Sequence, residues 1–179
     1  MRQFTVIFLL SATFLPAFST AGSAQDEEVR SERLLGGNEN PPVISDGSGS
    51  FQMEFEGDSA TFRLRYDVAS EGSDATQAHL HIENPGNNGG IVVWFCTTEG
   101  IEAPEGTPEC PPSPAELTGE ISAEDVQPVA VGEPPVEIIA AGDFEGLQRL
   151  IEQSSVYVNV HSDNHPPGEV RGQMNPRRR

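Results

Sequence analysis

All four histidines of the 179-residue chain fall into two short stretches, TQAHLHIENPGNNGG and SVYVNVHSDNHPPGEV. His79 and His81 stand two residues apart in an alternating run. Side chains at i and i+2 of a strand project to the same face, so this spacing can offer two imidazoles to one ion. His161 ends a second alternating run. If that run lies beside the first, its polar face brings a third imidazole to the same side. Three imidazoles suit copper or zinc and leave a coordination position for water or substrate. His165, in a Pro-bounded loop, reads as a loop residue rather than a fourth ligand. The same histidines could instead form a metal-free polar network beneath loops, their N–H groups held by Asn159, Glu169 and Gln173, because buried polar groups must be paired. The spacing leaves both arrangements open.

The elements that must position these residues are strands. Phe51, Met53 and Phe55 alternate with polar residues; after a turn at Gly57-Asp58, Phe62, Leu64, Tyr66 and Val68 do the same, predicting a hairpin. In the run 75–82, Ala78, Leu80 and Ile82 take one face, and Gln77, His79 and His81 the other, outward and wet. The unbroken run Ile91 to Cys96 predicts a strand buried on both sides or covered by the loop that follows. Ser122 with Asp125 predicts a capping box. Asp143 caps a helix with Phe144, Leu147, Leu150 and Ile151 on one stripe. Val156, Val158 and Val160 alternate with Tyr157, Asn159 and His161, and the loop SDNHPPG leads to a return strand through Val170, with Glu169 and Arg171 sharing a face. The expectation is an all-β fold: a Greek-key-like two-sheet sandwich of about seven to eight strands with one short crossover helix.

Composition restricts the function classes. Formal charge is −18, and all ten cationic residues are arginines. Such a surface repels phosphate backbones and anionic lipid, and it favours cations or basic partners. Met1-Arg2 followed by the apolar run to Phe18, with small residues at Ser19, Ala21, Gly22 and Ala24, predicts a Sec signal peptide over 1–24. Export then means a secreted or periplasmic product. A charged, aperiodic stretch over 25–33 reads as a disordered lead-in, residues 34–175 as the domain, and 176–179 as a basic tail. Cys96 and Cys110, in an oxidising compartment, are expected to form one structural disulfide. No serine sits in a nucleophile-elbow context and no carboxylate pair stands out, so no residue is assigned a catalytic role.

Four blocks then carry a resemblance. GNENPPVISDGSGSFQMEF is similar to the Gly-x-x-Glu-x-Pro-Pro-Val start of the CHRD (chordin-type) domain family. TQAHLHIENPGNNGGIVVWF resembles its His-x-His-Ile block, and Leu117 to Gly119 with Asp143 to Leu147 its middle stretch. The fourth block, SVYVNVHSDNHPPGEVRGQM, is similar to its ending. Together they cover Leu34 to Met174, with the Cys96 to Cys110 insertion as an addition. The resemblance implies a fold and a location outside the cytoplasm rather than an activity. The histidine pattern also resembles the copper site of Cu,Zn superoxide dismutases, at His79, His81 and His161 alone. That family's full zinc-binding loop has no counterpart. The expectation is a secreted, non-catalytic module binding an extracellular protein, a polymer or a metal ion through loops such as 162–168. The alternative is a copper- or zinc-binding protein with superoxide dismutase-like chemistry.

Overall fold

The computed structural model describes residues 27–31, 33–68 and 72–176. The expected signal peptide with its cleavage sites and the Arg177-Arg178-Arg179 tail lie outside the described residues. Eleven strands and one α-helix are present among those described: β1 (Glu27–Ser31), β2 (Leu34–Leu35), β3 (Ser48–Glu56), β4 (Ser59–Asp67), β5 (Ala75–Ile82), β6 (Gly90–Thr97), β7 (Ala115–Ile121), β8 (Val129–Val131), β9 (Val136–Ile139), α1 (Phe144–Glu152), β10 (Val156–Ser162) and β11 (Val170–Pro176). Among the described residues, no helix is long and apolar enough to cross a membrane.

The strands hydrogen-bond in the order β6-β5-β10-β11-β1-β3-β4-β7, with β2 between β11 and β3, while β8 and β9 form a separate ribbon. Phe95 of β6 packs against Phe51 of β3 at 5.2 Å and Phe62 of β4 at 4.6 Å between ring centroids. Strands so far apart in the pairing order meet only because the sheet folds back on itself. The result is the expected all-β sandwich, with β6-β5-β10-β11 facing β3-β4-β7. Alternation builds its interior: Phe51, Met53, Phe55, Ala60, Leu64, Tyr66, Ala78, Leu80, Val156, Val158 and Val160 are all buried. The β3–β4 hairpin turns at Gly57 and Asp58, where Gly57 adopts a φ of 65°, a conformation cheap only for glycine.

Helix α1 closes one side of the core. Asp143 accepts a hydrogen bond from the Gly146 N–H at 2.8 Å, and Phe144 packs edge-on against Phe55. Leu147 and Ile151 are fully buried. The Ser122–Asp125 capping box forms as expected, on a 3-10 turn. The disulfide Cys96–Cys110 is present, and the loop it closes lies along β6, where the Cys110 N–H donates to the Thr97 carbonyl.

Two expectations need correction. The strand count exceeds seven to eight because β1, β2 and the β8–β9 ribbon are too short or too charged to show an alternating pattern. The lead-in over 25–33 is not disordered throughout: Glu27–Ser31 forms β1, paired with both β11 and β3. Its one apolar residue, Val29, is fully buried. Hydrogen bonds on both sides satisfy the backbone of a strand whose side chains alone would not order it.

Candidate metal centre

Strands β5 and β10 are antiparallel neighbours, with His79 opposite Asn159, His81 opposite Tyr157 and His161 opposite Gln77. On the other flank of β5, His79 pairs with Trp94 of β6, and β-bulges on either side of this pair adjust the register. The alternation predicted for β5 and β10 therefore places His79, His81, Tyr157, Asn159 and His161 on one face, behind the apolar interior, and the β5–β6 register adds Trp94 to it. The structure brings His79, His81 and His161 together. One ring nitrogen from each lies within 4.8 Å of the other two. The His79 ring contacts that of His81 at 4.5 Å and that of His161 at 4.7 Å. His165 is not part of the cluster; its backbone N–H closes a turn onto Ser162.

The histidine face is not wet, contrary to the expectation. His79 is 0% and His161 8% exposed, and His81 is only partly exposed. Period-two patterning fixes the face a side chain takes but not what covers it, and here loops close over the imidazoles. The loop after β5 returns at Gly89 to bond both His81 and Tyr157. It comes this close because Gly89 has no side chain: a Cβ there would lie 1.9 Å from the Ile82 carbonyl oxygen.

The hydrogen bonds fix the state of each ring. His81 Nδ1 lies 2.8 Å from the Gly89 carbonyl and His161 Nδ1 2.7 Å from the Pro166 carbonyl. A carbonyl only accepts, so both Nδ1 atoms carry the proton. His79 Nε2 lies 3.3 Å from Gln77 Oε1 and donates to it. Each ring thereby spends its single N–H on an oxygen and keeps one lone pair: at Nδ1 of His79 and at Nε2 of His81 and His161. The His79 and His161 lone pairs are buried without any partner. Burial also holds all three rings neutral. Desolvation, with the neighbouring His81 and His161, depresses His79 well below the usual histidine range. Desolvation takes His81 down to about 4 and lowers His161.

The partners expected of a metal-free network are engaged elsewhere. Asn159 donates to Glu39 at 2.6 Å, Glu169 accepts from the Ser45 hydroxyl, and the Gln173 amide donates to the carbonyls of Glu83, Ser154 and Val156. Around the imidazoles lies a shell of larger groups. Tyr157 stacks on His81 at 4.7 Å, and Arg171, 2% exposed, sets its guanidinium 3.4 Å over the Tyr157 ring while binding the Asn87 carbonyl. Trp94 stands edge-on to His79 at 4.9 Å. Glu39, mostly desolvated, is pushed up to about 7 despite its Asn159 bond and the charge of Arg171. In the sequence Glu39 stands out only as the glutamate of the Gly-x-x-Glu-x-Pro-Pro-Val block. Tyr157 and Asn159 were legible as face-mates of His161, whereas Trp94 needed the bulged β5–β6 register.

A family model described as the CHRD domain matches residues 31–174. The chain belongs to the CHRD domain family. No curated protein and no solved structure gives a match.

Proposed function

We propose that this chain is an exported CHRD module that holds one transition-metal ion, copper in preference to zinc, on His79, His81 and His161. Its partner is then the ion itself, in place of the extracellular protein or polymer. The observation that carries this reading is the disposition of the ring nitrogens. Every N–H is donated to a fixed oxygen, the arrangement by which metal-binding histidines are oriented. Two of the three remaining lone pairs are buried with no partner, and an unsatisfied buried acceptor costs about 1–3 kcal/mol. A metal ion converts that cost into bonds.

The donor set favours copper. Three neutral imidazoles with no thiolate or carboxylate among them suit copper, which also binds nitrogen ligands more tightly than zinc does. Neutral ligands in a desolvated pocket, with the Arg171 charge beyond Tyr157, hold a monovalent ion at less cost than a divalent one. Metal–nitrogen bonds of about 2.0–2.1 Å require nitrogens about 3.4–3.6 Å apart, closer than the 4.8 Å within which one nitrogen of each ring lies, so the three rings close up around the ion.

Titration of untagged protein tests the proposal. The single tryptophan, Trp94, touches a proposed ligand. Its fluorescence should fall as one equivalent of copper(II) is added and stop changing there. A His81→Ala variant should retain the fold and lose stoichiometric copper. Protein that stays metal-free in copper and zinc, or a variant that binds as well as the parent, would overturn the reading.

A further inference from the structure

Trp94 belongs to two environments at once. One edge of the indole meets His79, which is fully buried with its Nδ1 lone pair unpartnered. The residue is itself only half-buried, and it lines a surface recess of about 160 Å³ that also includes Glu105, Thr107, Pro108, Glu124 and Asp125. His79 is thus sealed from solvent while the ring beside it is not. No ligand has to move for an electron to pass from the cluster through the indole to the surface.

We propose that Trp94 is the electron port of the metal site and that the acidic recess over it receives a cationic one-electron carrier. The proposal rests on the metal-binding reading. In the step, copper(I) loses one electron to the carrier and becomes copper(II), the carrier is reduced by one electron, and no bond or proton changes place. Recognition is electrostatic. Three carboxylates ring the recess on a chain of net charge −18, so cations are drawn toward it and anions repelled. Glu105 and Glu124 are exposed and can serve this way, whereas Asp125 is also committed to the Ser122 capping box. The recess requires the disulfide loop and the turn after β7 to meet over β6, which gives the Cys96 to Cys110 insertion a role beyond closing a loop.

The test uses copper(I)-loaded protein and two outer-sphere oxidants in stopped flow, the cation tris(phenanthroline)cobalt(III) and the anion ferricyanide. A Glu105→Gln/Glu124→Gln variant should react with the cobalt complex about threefold to tenfold more slowly at low salt, while its ferricyanide rate holds or rises. Trp94→Leu should slow both oxidants while copper stoichiometry, measured in the same samples, stays at one. Full copper loading with rates unchanged in both variants would overturn the port and leave the metal site standing. Wild-type protein that holds no copper would overturn both.

Discussion

Burial moves the titrations of the imidazoles and of Glu39 in opposite directions, and the apoprotein's stability should record both. His81 titrates near 4 in the fold and near its ordinary 6.5 when unfolded. Between those values the unfolded chain binds a proton that the folded chain refuses. The stability is complete above 6.5 and is lost as pH falls toward 4, at up to about 1.4 kcal/mol per pH unit for each such histidine. Thermal unfolding of apoprotein should show this slope, and His81→Gln should reduce it. Glu39 runs the other way. Its carboxyl is raised from 4.5 to about 7, so between those values the unfolded chain releases a proton that the folded chain keeps, and stability declines as pH rises. Glu39→Gln, which preserves an acceptor for Asn159, should stabilise the protein at pH 8 by up to about 3 kcal/mol relative to its effect at pH 4. An unchanged difference between the two pH values would remove the account of Glu39. At this scale the sequence disclosed which residues share a face. It did not disclose their burial, because loops distant in sequence supply the cover.

Pairing order, more than any one contact, brings the site together. The hairpin β10–β11 and its neighbour β5 were legible because valine alternates with polar residues through β10 and alanine, leucine and isoleucine do so through β5. β1 was not legible: EEVRS has one apolar residue, and two flanking strands order it. Val29→Ala should therefore cost about 2 kcal/mol in denaturant unfolding, as for a core position, whereas a frayed lead-in would tolerate it. The loop closed by Cys96 and Cys110 is the second test at this scale. It is tied down by Tyr66 donating to the Pro111 carbonyl and by the pairing of Thr97 with Glu109. Replacing both cysteines with serine should lower stability by about 3 kcal/mol. The loss should reach the histidines too, since β6 supplies Trp94 to the His79 flank.

For the whole molecule, charge dominates. At −18 with no lysine, the folded chain concentrates like charges that the unfolded chain spreads apart. Raising sodium chloride from about 0.05 to 0.5 M shortens the screening length several-fold and should raise the unfolding temperature; a fall would mean that local ion pairs such as Arg65–Glu116 outweigh net repulsion. The same charge suits a protein whose partner is a cation. The sandwich and its alternating faces follow from the sequence pattern, but the convergence of three imidazoles follows only from strand order and loop cover. X-ray absorption at the copper edge of reconstituted, untagged protein measures that convergence most directly. Three imidazole nitrogens at about 2.0 Å are predicted; a shell of oxygens, or a single imidazole, would contradict a site built on His79, His81 and His161.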